Sequence, residues 1–163
     1  MKITEKFIPK KKAKEQTIVV GCGSLGARIA AMLSDQNKNV VVIDINPGAQ
    51  RKLPPSYGGI VASGDGKDMD TLEAAGIKEA ACLITVTNDD DTNIMISQMA
   101  KVMFEVETVI ARVKDTTKLV AFKGIDIKVI SPLTLSINEF QKFIKGDIIE
   151  DNITTGKAEG EQK

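Results

Sequence analysis

Gln16–Asp44, QTIVVGCGSLGARIAAMLSDQNKNVVVID, decides how the chain is read. Ile18, Val19 and Val20 form a β-branched run that reads as a buried strand, and Gly21-Cys22-Gly23-Ser24-Leu25-Gly26 follows at once as G-x-G-x-x-G. Leu25, Ile29, Met32 and Leu33 then recur at helical spacing, and the apolar run Val40 to Ile43 delivers Asp44 about 20 residues beyond the glycines. The glycine motif alone is weak. Strand, glycine turn, helix, second strand and terminal acid in that order make a nucleotide site of the Rossmann type. The bland alternative is a structural set of glycines with Asp44 merely starting a loop, and the full context disfavours it.

Each residue has a physical reason. Gly21 permits the tight turn off the strand, Gly23 lets the backbone approach a pyrophosphate, and Gly26 lets the helix pack closely on the strand. The start of the helix offers N–H groups and a partial positive charge to phosphates. The Asp44 carboxylate can accept hydrogen bonds from adenosine ribose hydroxyls, and its charge opposes a 2′-phosphate, so NAD is favoured over NADP.

The chain's 163 residues suit one domain with a real core and are too few for a Rossmann domain plus a full substrate domain, which argues against an ordinary dehydrogenase. Lys+Arg and Asp+Glu both total 22, so no global basic field points to nucleic acid. Charge is uneven at the ends. Lys2, Lys6, Lys10, Lys11, Lys12 and Lys14 stand against Glu5, whereas 147–163 carry five acids against Lys157 and Lys163. Residues 1–15 and 146–163 therefore read as solvated, disordered tails around a domain at 16–145. Cys22 and Cys82 each sit in or beside an apolar strand, which fits reduced thiols and a cytoplasmic setting. No apolar stretch approaches the roughly 18 residues that cross a bilayer, so any membrane link is expected to run through a partner.

Beyond Asp44, Asn46-Pro47-Gly48 starts a short helix or turn that Leu53-Pro54-Pro55 stops, and Tyr57 to Ala62 reads as a third strand. Asp68 is the expected N-cap of a helix with Met69, Leu72 and Ala75 inward, and Gly76 its C′ residue. Ala81 to Val86 reads as a fourth strand. The polar loop TNDDDTN follows, its Asp91 or Thr92 capping a helix with Met95, Ile96, Met99, Val102 and Met103 on one side. Glu107 to Val113 supplies a fifth strand ending near Arg112, a helix runs from Asp115 or Thr116 to Phe122, and Ile125 to Ile130 is a sixth strand. Alternating strands and helices with right-handed crossovers predict an α/β, Rossmann-like, doubly wound parallel sheet of order 3-2-1-4-5-6. A last helix begins at Ser131-Pro132. Its stripe of Leu133, Ile137, Phe140 and Ile144 is expected to be buried, and Leu135 and Phe143 lie off it, which suits either a second apolar neighbour such as a partner subunit or folding of both onto the same domain.

In that sheet a ligand lies across the carboxyl ends of the first and fourth strands, where Gly21–Gly26, Asp44, Asp65, Thr85–Asp89 and Arg112 converge on one rim. The candidate site residues are Gly21, Cys22, Gly23, Ser24, Leu25, Gly26, Asp44, Ile45, Gly64, Asp65, Gly66, Thr85, Thr87, Asn88 and Arg112. No metal site is expected: Asp89, Asp90 and Asp91 are consecutive on a loop, point in different directions and suit helix capping better.

The segments GCGSLGARIA, VVVID, SGDGKDMDTLEAAGI, ITVTNDDDTNIMISQMAK and VIARVKD resemble the nucleotide-binding N-terminal domain of TrkA-type potassium-uptake regulators, also called the RCK or KTN domain. The resemblance covers about 16 to 145. It rests above all on G-D after the third strand, T-N-D-D-x-x-N after the fourth and A-R after the fifth. It implies a non-catalytic cytoplasmic subunit, peripheral to the inner face of the membrane. Such a subunit forms a homodimer or higher ring under a membrane potassium transporter or channel, and a second TrkA-like protein is a further candidate partner. The implied ligand is NAD(H) or an adenine nucleotide (AMP, ADP or ATP). Carried over, Gly21, Gly23 and Gly26 would hold phosphates and Asp44 the ribose. Asp65 and Gly66 would lie near the adenine, Thr85 and Asn88 near the distal ribose or phosphate, and Arg112 would face the phosphate side. Ser24 stands where many members have Arg, and the chain stops after its last helix, as a stand-alone sensor piece would.

The competing reading is an NAD-dependent oxidoreductase, which needs a proton donor or acceptor beside the nicotinamide. The chain has no His and a single Tyr, and Tyr57 has no Lys four residues later. A methyltransferase using S-adenosylmethionine shares the glycine turn and the ribose acid, but the chain shows no closing antiparallel hairpin.

Overall fold

The computed structural model describes residues 15–145; the sequence readings of the basic and acidic tails fall outside them, apart from Glu15. Six strands, β1 (Gln16–Val20), β2 (Val40–Asp44), β3 (Ile60–Ser63), β4 (Ala80–Thr85), β5 (Thr108–Arg112) and β6 (Lys128–Ile130), form one sheet. Every pairing is parallel and the order is β3-β2-β1-β4-β5-β6, as the alternation of elements predicts. In register, Val20 pairs with Ile43 on one side and Thr85 on the other, so the ends of β1, β2 and β4 stop level with one another.

The central strands are short and rich in Val and Ile because helices cover both their faces. The pleat splits one strand between two cores: Ile18 and Val20 face Leu72, Ile96 and Ala100, while Val19 between them faces Ala27 and Ala30. Each of these residues is at most 4% exposed.

Helices α1 (Ser24–Asp35), α2 (Met69–Ala74) and α3 (Asp90–Val102) alternate with the strands, helped by 3-10 turns at Pro47–Lys52, Ile77–Glu79 and Thr116–Phe122. Asn46 caps the first of these turns through Gly48 N–H, Asp68 caps α2, and Gly76 ends that helix in the left-handed region at φ 82°, all as expected from side chains that accept N–H and a residue without Cβ.

Several expectations within the sheet unit are corrected, and the sixth strand is one of them, starting at Lys128 and not at Ile125. The third strand starts at Ile60, since Tyr57 turns back to donate its hydroxyl to the carbonyls of Val40 (3.1 Å) and Ile60 (3.3 Å). Of the apolar residues expected along α1, Ile29 and Leu33 do pack on the core beside the buried Gly26, Ala27 and Ala30, whereas Leu25 and Met32 are exposed. In α2, Met69 is exposed and only Leu72 of the helix is buried, Ala75 being buried just beyond it. The cap of α3 is Asp89, which accepts Thr92 N–H at 2.7 Å; the buried face of α3 carries Asn93, Ile96, Ser97 and Ala100, leaving Met95, Val102 and Met103 exposed.

The chain divides into two compact units, one ending at Pro132 and the other beginning at Leu133. Described by itself, α4 (Pro132–Lys145) is amphipathic, yet no residue of it is buried. The expectation of a buried stripe is thus not met within this chain: Leu133, Ile137, Phe140 and Ile144 are 46–82% exposed. No helix among the described residues is long and apolar enough to cross a membrane.

Candidate functional site

The loops after β1, β2, β3 and β4 enclose a cavity of about 360 Å³. Parallel strands bring it about: their carboxyl ends all open on one side, and β1 and β4 are adjacent while their crossovers lie on opposite faces.

At β1, Gly21 turns the chain at φ 103°, a conformation that L side chains rarely adopt, and its backbone sits against Thr87 of the β4 loop. A Cβ on Gly26 would fall on the Gly21 carbonyl oxygen, so the turn and the first turn of α1 are packed backbone to backbone. Gly23 differs, for a Cβ there would meet nothing within 4 Å, and its backbone borders the cavity. It is also the N-cap of α1 and has no side chain to accept an N–H, in contrast to Asp68 and Asp89 at the starts of α2 and α3. The amides at the start of a twelve-residue helix are thus left for an external acceptor.

At β2, the Asp44 carboxylate holds two backbone amides, Cys22 N–H at 2.6 Å and Asn46 N–H at 2.8 Å. A carboxylate has about four acceptor positions, so two remain while the residue borders the cavity. Cys22 itself is buried and donates its thiol to the Ala49 carbonyl at 3.3 Å. Burial pushes that thiol's pKa up and the Asp44 charge adds to the shift, against an opposing pull from Lys52.

At β3, Gly64, Asp65 and Gly66 border the cavity, and Asp65 accepts Lys67 N–H at 2.9 Å while pairing with its ammonium at 3.7 Å.

At β4, the lip formed by Thr87, Asn88 and Asp89 is fixed by Asn93, which is fully buried. Asn93 Oδ1 accepts Thr87 N–H (2.9 Å) and Thr87 Oγ1–H (2.7 Å), while its Nδ2 donates to the carbonyls of Thr87 (3.0 Å) and Arg112 (2.9 Å). Asp89's carboxyl is held below the usual carboxylate range by hydrogen bonds from the Thr92 side chain and backbone.

Of the sequence candidates, Gly21, Gly23, Asp44, Ile45, Gly64, Asp65, Gly66, Thr87 and Asn88 come together around the cavity. The others do not line it. Cys22 turns its thiol into the core, and Ser24, Leu25 and Gly26 belong to α1 beyond the turn. Thr85 is fully buried and donates its hydroxyl to the Asn93 carbonyl at 3.3 Å. Arg112 does not border the cavity; it braces the lip, its Nη2 donating to the Thr87 carbonyl (2.6 Å) and Asn88 Oδ1 (3.2 Å).

Sequence reasoning missed Lys52 and Lys67, the two cations at the cavity. Lys67 could have been found from its place two residues after Asp65. Lys52 ends a 3-10 turn that folds back on the site and carries no periodic signal. Among the described residues no group of His, Cys, Asp or Glu could hold a metal ion.

The fold and this rim define a Rossmann-like α/β domain with a glycine-turn cavity at the carboxyl ends of its strands. More particularly, the chain belongs to the TrkA-N domain family, whose model matches residues 17–132. It is 37% identical over 114 residues to the Trk system potassium uptake protein TrkA of Streptomyces coelicolor, covering 70% of this chain and 51% of that protein. The chain therefore spans about half the length of that relative. GsuK, solved as a channel bound to NAD, matches with a TM-score of 0.66 and 25% identity over 85% of this chain and 24% of GsuK. A structure of GsuK bound to ADP matches equally well, over 83% of this chain and 35% of that one. The TrkA-N domain of the Escherichia coli inner membrane protein ybaL shares the fold, at TM-score 0.71 and 16% identity over 82% of this chain and 99% of that domain.

Proposed function

We propose that the chain is the nucleotide-binding regulatory domain of a potassium uptake system or channel, taking NAD(H) or an adenine nucleotide into the cavity and passing its conformational state to a membrane partner. The observation that carries this reading is the pairing, across one cavity, of an α1 N-terminus opened by Gly23 and left without a side-chain cap with the Asp44 carboxylate at the end of the neighbouring strand. The first suits a phosphate and the second a ribose. The NAD- and ADP-bound states of GsuK support the choice of ligand, and the likeness to TrkA supports the role in potassium transport.

In this reading Gly21 and Gly23 bring the backbone up to the phosphates, Asp44 binds the adenosine ribose, Ile45, Asp65 and Gly66 flank the adenine, and Thr87 and Asn88 meet the distal half. The bound molecule supplies no chemistry; its occupancy is what the partner reads, through differential affinity for two conformations. An oxidoreductase reading gains nothing from Tyr57, whose hydroxyl is committed to two carbonyls and whose pKa is pushed up to about 12, chiefly by burial. The exposed stripe of α4 supports a homodimer, or a ring built from such dimers, as the working assembly on the cytoplasmic face of the membrane.

Thermal-shift measurements with NAD, NADH, AMP, ADP, ATP, NADP and S-adenosylmethionine test the proposal. Stabilisation by NAD(H) or the adenine nucleotides, with NADP weaker than NAD, is the expected result. Stabilisation by S-adenosylmethionine alone would overturn it.

A further inference from the structure

We infer that Asn93 is a positioning residue that sets the β4 lip of the cavity and ties it to the end of β5, so that the state of the cavity is registered at residues 112–115, which do not border it. The inference rests on the proposed reading of the cavity as a nucleotide site. Its physical basis is a closed polar network. Asn93 is fully buried, and its amide reaches both sides, Oδ1 holding Thr87 and Nδ2 bridging the Thr87 and Arg112 carbonyls. Three further ties run in parallel between the same two segments. Arg112 Nη2 donates to the Thr87 carbonyl, Lys114 Nζ donates to the Asn88 carbonyl at 2.5 Å, and the buried Asp90 carboxylate accepts the N–H groups of Lys114 (3.0 Å) and Asp115 (2.9 Å).

The lip can therefore shift toward a bound molecule only if the β5 end moves with it or the network breaks. Breaking it would strand buried amide and carbonyl groups, each costing far more than a surface hydrogen bond. The β5 end is in turn bonded to β6 through Val113 N–H and the Ile130 carbonyl at 3.0 Å, one residue before the segment that leads into α4. Asn93 thus stands where a ligand-bordering loop and the output end of the sheet share one side chain, and Arg112 serves the same junction from the other strand.

Hydrogen exchange on the intact chain, with and without saturating NAD or ADP, tests this on wild type, Asn93→Ala and the isosteric Asn93→Asp, which keeps the acceptor oxygen but loses the two donors. In wild type, nucleotide raises protection at 87–89 and, in step, at 113–115. In either variant that folds, the response at 87–89 persists, the response at 113–115 falls below that of wild type because only the Arg112, Lys114 and Asp90 ties remain, and affinity falls about tenfold, the loss expected of about two hydrogen bonds. An unchanged 113–115 in wild type, or an equal response there in the variants, overturns the inference. If wild type binds no nucleotide, it is the functional reading that fails. The tether is then judged without ligand: faster exchange of Lys114 and Asp115 in the variants, although Asp90 and not Asn93 accepts those amides, supports it, and unchanged exchange refutes it.

Discussion

The Asp44 carboxylate grips Cys22 N–H at 2.6 Å, so the end of β2 holds the middle of the glycine turn that follows β1. One acid therefore has two duties, shaping the turn and facing the cavity. Asp44→Ala is expected to weaken NAD and adenine nucleotides by about 1–3 kcal/mol through lost charge-assisted bonds, and to lower the melting temperature of the unliganded protein as well. Calorimetry and a thermal melt check the two effects separately. Unchanged affinity would remove Asp44 from the site.

The second and third glycines of the turn should behave in opposite ways. Gly23→Val has open space for its side chain, so the fold is kept, yet the side chain occupies the approach to α1 and nucleotide binding is abolished. Gly26→Ala drives a Cβ onto the Gly21 carbonyl oxygen and destabilises the fold by on the order of 1–3 kcal/mol, as overpacking does. Paired melts and titrations of the two variants distinguish the roles.

Acid should loosen the start of α3 before it touches the core. Hydrogen bonds from Thr92 and Thr117 hold the carboxyls of Asp89 and Asp115 below the usual carboxylate range. A carboxyl whose pKa is depressed on folding stabilises the fold above its unfolded pKa, and that contribution is lost as pH falls through the folded value. Melting temperature should therefore drop below about pH 4. Asp89→Ala, less stable than wild type at neutral pH, should close the gap as pH falls; a constant gap would mean the cap contributes nothing through its charge.

If α4 is the self-association surface, charge on its apolar stripe should abolish assembly without unfolding the sheet unit. Phe140→Asp, at a residue 69% exposed within the chain, is expected to shift light-scattering mass toward the monomer while the melting temperature attributable to residues 15–132 holds. An unchanged mass would exclude α4.

Much of this was legible in the sequence because short-range chemistry governs it. The β1 turn, Asp44 at the end of β2, the caps at Asn46 and Asp68 and the C′ glycine at Gly76 are local rules, and the strand order follows from the alternation of elements. The helix faces were legible only in part: Leu72, Ala75 and Ile96 are buried as their spacing implies, and Ile29, Leu33 and Met99 pack on the core. Apolar spacing picks out the large residues Leu25, Met32, Met95 and Met103, but the sheet takes the small and polar ones, Gly26, Ala27, Ala30, Asn93 and Ser97. Packing distance decides between two apolar faces, and periodicity does not report it. The bracing bonds of Arg112 were not legible for a related reason: only the three-dimensional placement of Thr87 and Asn88 shows what its Nη2 bonds. Asn93 closes the T-N-D-D-x-x-N spacing, and its importance lies in partners nineteen residues away.

The most direct measurement is isothermal titration of the purified chain with NAD and with ADP, run beside Gly23→Val. The account predicts saturable, one-site heat for wild type with at least one of the two and none for the variant. Silence from wild type with NAD, NADH, AMP, ADP and ATP alike, or equal binding by Gly23→Val, would contradict it.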